Sequence, residues 1–303
     1  MFSSISLRRG GTVSISTRKT FLIYIDRYCK FCGKTPDELI QDRMSDWKSD
    51  DIFVRRRHEE KLMEFAQHLR KEGYTSNTVS TAIGSIRSLY RTNYLPMTEV
   101  NIPSGRPVRE YKVPTKEELS KAIGRSRMSW HKAFMVLSKD CGISLQDMLL
   151  LRASNESPTY GSIRKQLNQG QVPIHLRITR EKTLYTYDSF LGLDSFNILN
   201  NEFIFPDMKS KFKTDANRKL FSYAHSSIQT AMRKIGQELG WKHFTPYSLR
   251  KFFRTRLTLA KVNDALLESW MGHSLGKVRG AYIAPPVEEQ MEVYSQNYSA
   301  LKL

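Results

Sequence analysis

Apolar positions early in the chain recur at three- and four-residue steps, the period of a helix with one buried face. Leu62, Phe65, Ala66 and Leu69 make such a stripe over about His58 to Lys71, and Gly73 ends it. Val79, Ile83, Ile86 and Tyr90 make another, opened by Ser76-Asn77 and running to about Tyr94. Ahead of both, Thr35-Pro36-Asp37-Glu38 supplies an N-cap, a proline at the first helical position and acidic residues in the first turn. Arg87 and Arg91 lie off the second stripe, either solvated or available to phosphates.

Residues 101–113 carry two prolines, a glycine and three basic residues without an apolar period, which is linker composition. Thr115 with Glu118 three positions on then reads as a capping box. The expected division is therefore a helical domain over 1–100, a linker over 101–113 and a second domain over 114–303.

The second domain is mixed. Lys132 to Leu151 reads as one helix or two, broken near Gly142. From Val172 the pattern switches to alternation, with Val172, Ile174, Leu176 and Ile178 on one face and Pro173, His175, Arg177 and Thr179 on the other. A second extended run, Leu184 to Leu191, makes this an antiparallel hairpin with Lys182 at its tip. Helical spacing returns with Ile228, Met232, Ile235 and Leu239, stopped by Gly240. Thr245-Pro246 opens a helix through Leu249, Phe252, Phe253 and Leu257, and Asn263 opens a short one ending at Gly272. The closing stripe Val287, Met291, Tyr294, Tyr298, Leu301 fits packing on its own domain or docking into a neighbouring protomer; the second is the expectation adopted. The fold class is mainly α with a small antiparallel β-sheet.

Charge adds a partner. Forty-eight Lys and Arg against thirty Asp and Glu give a net +18, spread along the chain rather than held in a tail. That distribution suits a protein gripping a polyanion at many points. Cys29, Cys32 and Cys141 are too few for a disulfide framework, and the Cys29/Cys32 pair has no second pair to complete a zinc site, so reduced thiols and no metal are expected. No apolar run is long enough to span a membrane. The first 25 residues, Ser- and Arg-rich with no acid, read as a transit-type leader or as a basic arm on DNA. A cytoplasmic, nucleoid-associated setting is expected.

Cutting DNA without a metal while conserving bond energy needs a hydroxyl nucleophile, cationic donors on the phosphate oxygens and an acid for the departing 5′ oxygen. The last third of the chain offers these in order. Tyr247 and Arg250 lie three apart just inside the helix opened by Thr245, so one face carries both. Met271-Gly272-His273 follows a helix stop, and Tyr282 comes nine residues after His273.

Tyr247-Ser-Leu-Arg250, Met271-Gly-His-Ser274 and Tyr282 resemble the C-terminal pattern of the tyrosine recombinases, the phage-type integrases and chromosome-dimer resolvases. The Leu249-to-Arg254 and Met271-to-Leu275 stretches look most like archaeal integrase-type members. The resemblance is specific over about residues 245–285. It implies a two-domain, C-shaped clamp on double-stranded DNA with a catalytic domain like that of type IB topoisomerases. It also implies a homo-oligomer, tetrameric in the synapse, and neither cofactor nor small-molecule substrate. Tyr282 would be the nucleophile forming a 3′-phosphotyrosyl bond, Arg250 and His273 would hold the phosphate, Lys182 would be the general acid and Tyr247 would assist.

Two positions depart from that pattern. Tyr247 stands where the family carries a histidine. Ser144, within Asp140-to-Met148, stands where it carries its first arginine. Losing such a donor costs about 10²–10³ in rate unless another cation replaces it, and Arg180 and Arg152 are the candidates. A DNA-binding protein without chemistry and a strand-passing topoisomerase relative are the alternative functions.

Overall fold

A computed structural model describes residues 7–8, 11–12, 15–98, 110–180, 184–201, 219–273 and 285–303. The chain divides into two compact units, Met1–Val108 and Arg109–Leu303.

In the first unit a two-residue ladder, β1 (Leu7–Arg8) and β2 (Gly11–Thr12), precedes four helices: α1 (Ile15–Cys32), α2 (Pro36–Trp47), α3 (Ile52–Lys71) and α4 (Ser76–Thr92). Both expected stripes face inward, with Leu62, Phe65 and Leu69 meeting Val79, Ile83, Ile86 and Tyr90 in one core with Tyr28 and Leu39. Helix α2 has the expected capping box, Thr35 with Glu38. Helix α3 starts six residues before His58, because Asp51 caps it by accepting from the Phe53 N–H at 2.8 Å. Its first turns carry Arg55, Arg56 and Arg57, which an apolar stripe does not reveal. A charged pair is buried in this unit: Arg43 grips Glu59 through two parallel bonds of 2.8 and 2.7 Å. Cys29 and Cys32 end α1 as free thiols, and the described residues contain no cluster able to hold a metal.

The second unit runs α5 (Lys116–Arg125), α6 (Ser129–Cys141), α7 (Leu145–Leu150), β3 (Glu156–Ser157), β4 (Gly161–Ser162), α8 (Ile163–Asn168), β5 (Ile174–Thr179), β6 (Thr186–Leu191), α9 (Leu193–Leu199), α10 (His225–Glu238), α11 (Pro246–Leu259), α12 (Asp264–Trp270) and α13 (Val287–Asn297). Thr115 and Glu118 form the expected capping box. Gly142 breaks the α6–α7 pair in the left-handed region, at φ 60°. Strands β5 and β6 pair antiparallel from Ile174↔Leu191 to Thr179↔Thr186.

The hairpin departs from simple alternation. Val172 is exposed, whereas His175, on the face expected to be polar, is buried. The β3–β4 ladder and α8 cover that face, and His175 is satisfied by Ser157 Oγ at 2.7 Å and Asp188 Oδ1 at 2.9 Å. Lys182 lies outside the described residues.

The C-terminal stripe takes the first of its two readings within the single chain: Val287, Met291, Tyr294, Tyr298 and Leu301 pack on the core of their own unit. The reason is polar as well as apolar. The buried Lys139 ammonium donates to Asp140 at 2.5 Å, to Asp194 at 2.8 Å and to the Leu301 carbonyl at 3.0 Å, while the Tyr294 hydroxyl donates to the Asp140 carbonyl at 2.9 Å. Lifting the tail off would strip buried groups of their partners. Among the described residues no helix is long and apolar enough to cross a membrane.

Candidate active site

Helix α11 positions the arginine. Pro246 occupies its first turn, and its Leu249–Phe252–Phe253–Leu257 face is buried against the core. Arg250 sits inside that apolar surround, only 8% exposed. Its guanidinium donates to the Gly142 carbonyl and to the Met271 carbonyl, each at 2.9 Å, and approaches His273 Nε2 at 2.5 Å. Among the described residues no carboxylate pairs with it. Burial pulls Arg250 below its usual pKa range, and arginine remains charged regardless. A buried, uncompensated cation of this kind is costly for a fold to keep.

One carbonyl belongs to a glycine, Gly142, and the other, that of Met271, is followed by one, Gly272. A Cβ on Gly142, at φ +60°, would stand 2.3 Å from the Phe253 ring, and one on Gly272, at φ +70°, would stand 2.6 Å from the Tyr187 ring. Only glycine fits both the conformation and the contact at each point. The Met271-Gly-His273 turn thereby closes α12 and aims the imidazole at Arg250.

Because arginine only donates, His273 Nε2 accepts, and the ring proton sits on Nδ1, facing the Glu268 carboxylate with which it is in close contact. Glu268 also contacts Arg254, and the His273 backbone N–H donates to the Glu268 carbonyl at 2.9 Å. Burial first, then the charges of Arg250, Arg180 and Arg254, hold the His273 pKa below its ordinary value.

Tyr247 shares a cleft of about 630 Å³ with Arg250 and Ser144; it is 49% exposed and packs edge-on to Tyr111 at 4.9 Å, with Lys251 over both rings at 5.5 Å. Ser144 caps α7, accepting from the Asp147 N–H at 3.2 Å and donating to the Asp147 carboxylate at 2.8 Å. Of the two candidate replacements, Arg180 reaches this centre. Its Nε donates to Asp147 Oδ2 at 3.1 Å and its Nη2 to the Met271 carbonyl at 3.2 Å. Arg152 lies past α7, where its backbone bridges to Lys219. Tyr282 lies outside the described residues, which run to His273 and resume at Pro285.

Sequence reasoning missed Asp147, Tyr187 and Glu268. Tyr187 was legible as an inward position of an alternating strand, and its hydroxyl donates to Asp147 at 2.9 Å. Glu268 carried no signal, since i and i+5 on a short helix followed by a turn face each other only through the Gly272 conformation.

No family model matches the chain, and no curated protein matches its sequence. Solved structures do match in fold. A lambda integrase dimer bound to a core site superposes with TM-score 0.58 at 12% identity, over 91% of this chain and 90% of that one. The Tn1549 transposon integrase in complex with transposon right end DNA gives 0.55 at 15% identity, over 96% of each chain. The XerH site-specific recombinase bound to palindromic difH substrate gives 0.56 at 14%, over 78% of this chain and 69% of that one. At such identities the likeness is one of fold, and the fold is that of the tyrosine recombinases and integrases.

Proposed function

We propose that the chain is a site-specific DNA recombinase that breaks and rejoins strands through Tyr282. The supporting observation is the Arg250 centre: a buried guanidinium without a carboxylate partner among the described residues, 2.5 Å from a histidine, in a recombinase fold. A phosphate supplies the anion that this centre lacks. In this reading Arg250 and His273 hold the non-bridging oxygens and the Tyr282 oxygen attacks phosphorus as the bond to the 5′ oxygen breaks. Lys182 protonates that oxygen and Tyr247 contributes a hydrogen bond. The 3′-phosphotyrosyl link then awaits a 5′ hydroxyl from a second duplex, within a homo-oligomer of four protomers on two duplexes. The net +18 charge supports binding of double-stranded DNA by both units.

The test uses a duplex selected from a random pool by the immobilised protein, nicked so that cleavage cannot reverse. A covalent adduct on a denaturing gel that disappears in Tyr282→Phe supports the reading. Tight binding with no adduct supports the second reading, a DNA binder without chemistry, which the uncharged Ser144 cap favours.

A further inference from the structure

We propose that Arg180 is the second guanidinium on the scissile phosphate, delivered from the end of strand β5 and not from the start of α7. The inference rests on the phosphate-binding reading of Arg250 and deepens it. Arg180 and Arg250 donate to one and the same oxygen, the Met271 carbonyl, at 3.2 and 2.9 Å. Through that shared oxygen their nitrogens lie within about 6 Å of each other. Two cations brought so close repel, and among the described residues the acid that touches either is Asp147, paired with Arg180. Among the described residues one carboxylate stands against the two charges.

The presentation of Arg180 is rigid. Its N–H donates to the Tyr185 carbonyl at 3.0 Å and its own carbonyl accepts from the Leu184 N–H at 2.9 Å, so the backbone is held on both sides just past the last β5–β6 pair. The guanidinium lies over the Tyr187 ring at 5.5 Å, and Tyr187 is itself fixed by Asp147. Nε and Nη2 are committed, whereas Nη1 has no acceptor among the described residues. At 23% side-chain exposure the group is open at one edge, unlike the enclosed Arg250. Ser144 completes the argument from the other side. Its hydroxyl goes to Asp147, the same carboxylate that orients Arg180, so the start of α7 serves to hold the arginine instead of supplying one. The charges of both Arg250 and Arg180 bear on His273, which places all three groups around one volume.

Inorganic phosphate, titrated into the full-length ¹⁵N-labelled protein, tests this without requiring cleavage. The readout is the arginine Nε–H signals, with that of Arg180 identified by its loss in Arg180→Lys and that of Arg250 by its loss in Arg250→Lys. Both signals should move saturably with one dissociation constant, and Arg180→Gln should weaken phosphate binding at Arg250 by about tenfold, the worth of one charge-assisted hydrogen bond. A salt bridge serving only to hold Asp147 would shift the melting temperature of Arg180→Gln and leave that constant unchanged. The proposal is overturned by that result, by titration of Arg250 alone, or by titration of neither. If Arg180→Gln does not fold, the wild-type titration decides by itself. Should both signals titrate while the DNA-adduct assay stays negative, strand cleavage fails as the function and the paired-arginine phosphate site stands.

Discussion

Arg250 Nη2 and His273 Nε2 meet at 2.5 Å. The contact uses a donor that can only donate and a ring nitrogen that, accepting, is unprotonated. Under the proposed function a phosphate entering the centre would replace it with two charge-assisted bonds, one from the guanidinium and one from a ring that must gain a proton. Three consequences are measurable, and the buried ammonium of Lys139 adds a fourth prediction.

Phosphate or sulfate should stabilise the fold through this centre. At ten times its dissociation constant an anion that binds only the native state contributes about 1.4 kcal/mol, worth about 3–6 °C in the melting midpoint of a unit this size. Arg250→Ala should abolish the gain relative to sodium chloride at equal ionic strength. An undiminished gain in that variant would place the anion elsewhere.

Arg250→Ala and Arg250→Lys should both lower adduct formation by about 10²–10³, the cost of losing a preorganised charged donor. Lysine does not rescue, because its point charge cannot donate at once to the Gly142 and Met271 carbonyls and still reach the phosphate. Single-turnover trapping on the nicked duplex, with binding measured separately, checks the split between affinity and rate.

Acid should weaken the fold. His273 is held below its ordinary pKa of 6.5 by burial and by Arg250, Arg180 and Arg254, with Glu268 on its Nδ1 side. His58 is held down by burial and Arg43, and His131 by burial. The unfolded chain therefore binds more protons between the folded pKa values and 6.5, so this contribution is complete above 6.5 and is lost as pH falls below it. Urea unfolding across that window should show His273→Asn with a shallower acid slope than wild type. Phosphate binding has the opposite linkage: the entering anion raises the His273 pKa, so binding takes up protons. Titration calorimetry in two buffers of different ionisation enthalpy detects the uptake, and Glu268→Gln, which removes the negative charge facing the Nδ1 proton, should reduce it.

Lys139→Ala should destabilise the second unit by about 3–5 kcal/mol, because it leaves Asp140 buried without its cation and releases the Leu301 carbonyl. Truncation after Asn297 should have a similar effect in dilute solution. A tail that docks only on a neighbour would leave the monomer unchanged, as equilibrium unfolding at low concentration would show.

Much of this was legible along the chain. The stripes of α3 and α4, the caps at Thr35 and Thr115, the break at Gly142 and the β5–β6 hairpin follow from short-range rules, since each depends on residues within one or two turns of each other. Arg250 and the Met271-Gly-His273 turn were found by spacing and Ser144 by the family resemblance, and Arg250 meets His273 directly and shares a cleft with Ser144. Short-range rules failed where a second layer covers a surface, as at His175, or where charged turns precede an apolar stripe, as at Ile52.

The sequence by itself determined the helices, the hairpin, the basic character and the order of the candidate groups, because periodicity, capping and composition are local properties of the chain. Only the tertiary structure decided which cation stands beside Arg250, since Arg180 and Met271 are 91 residues apart and meet only when the β5–β6 hairpin packs through β6 against α12. It also decided that the C-terminal stripe stays on its own core, because the buried ammonium of Lys139 needs the carbonyl of Leu301, a pairing that no local pattern encodes.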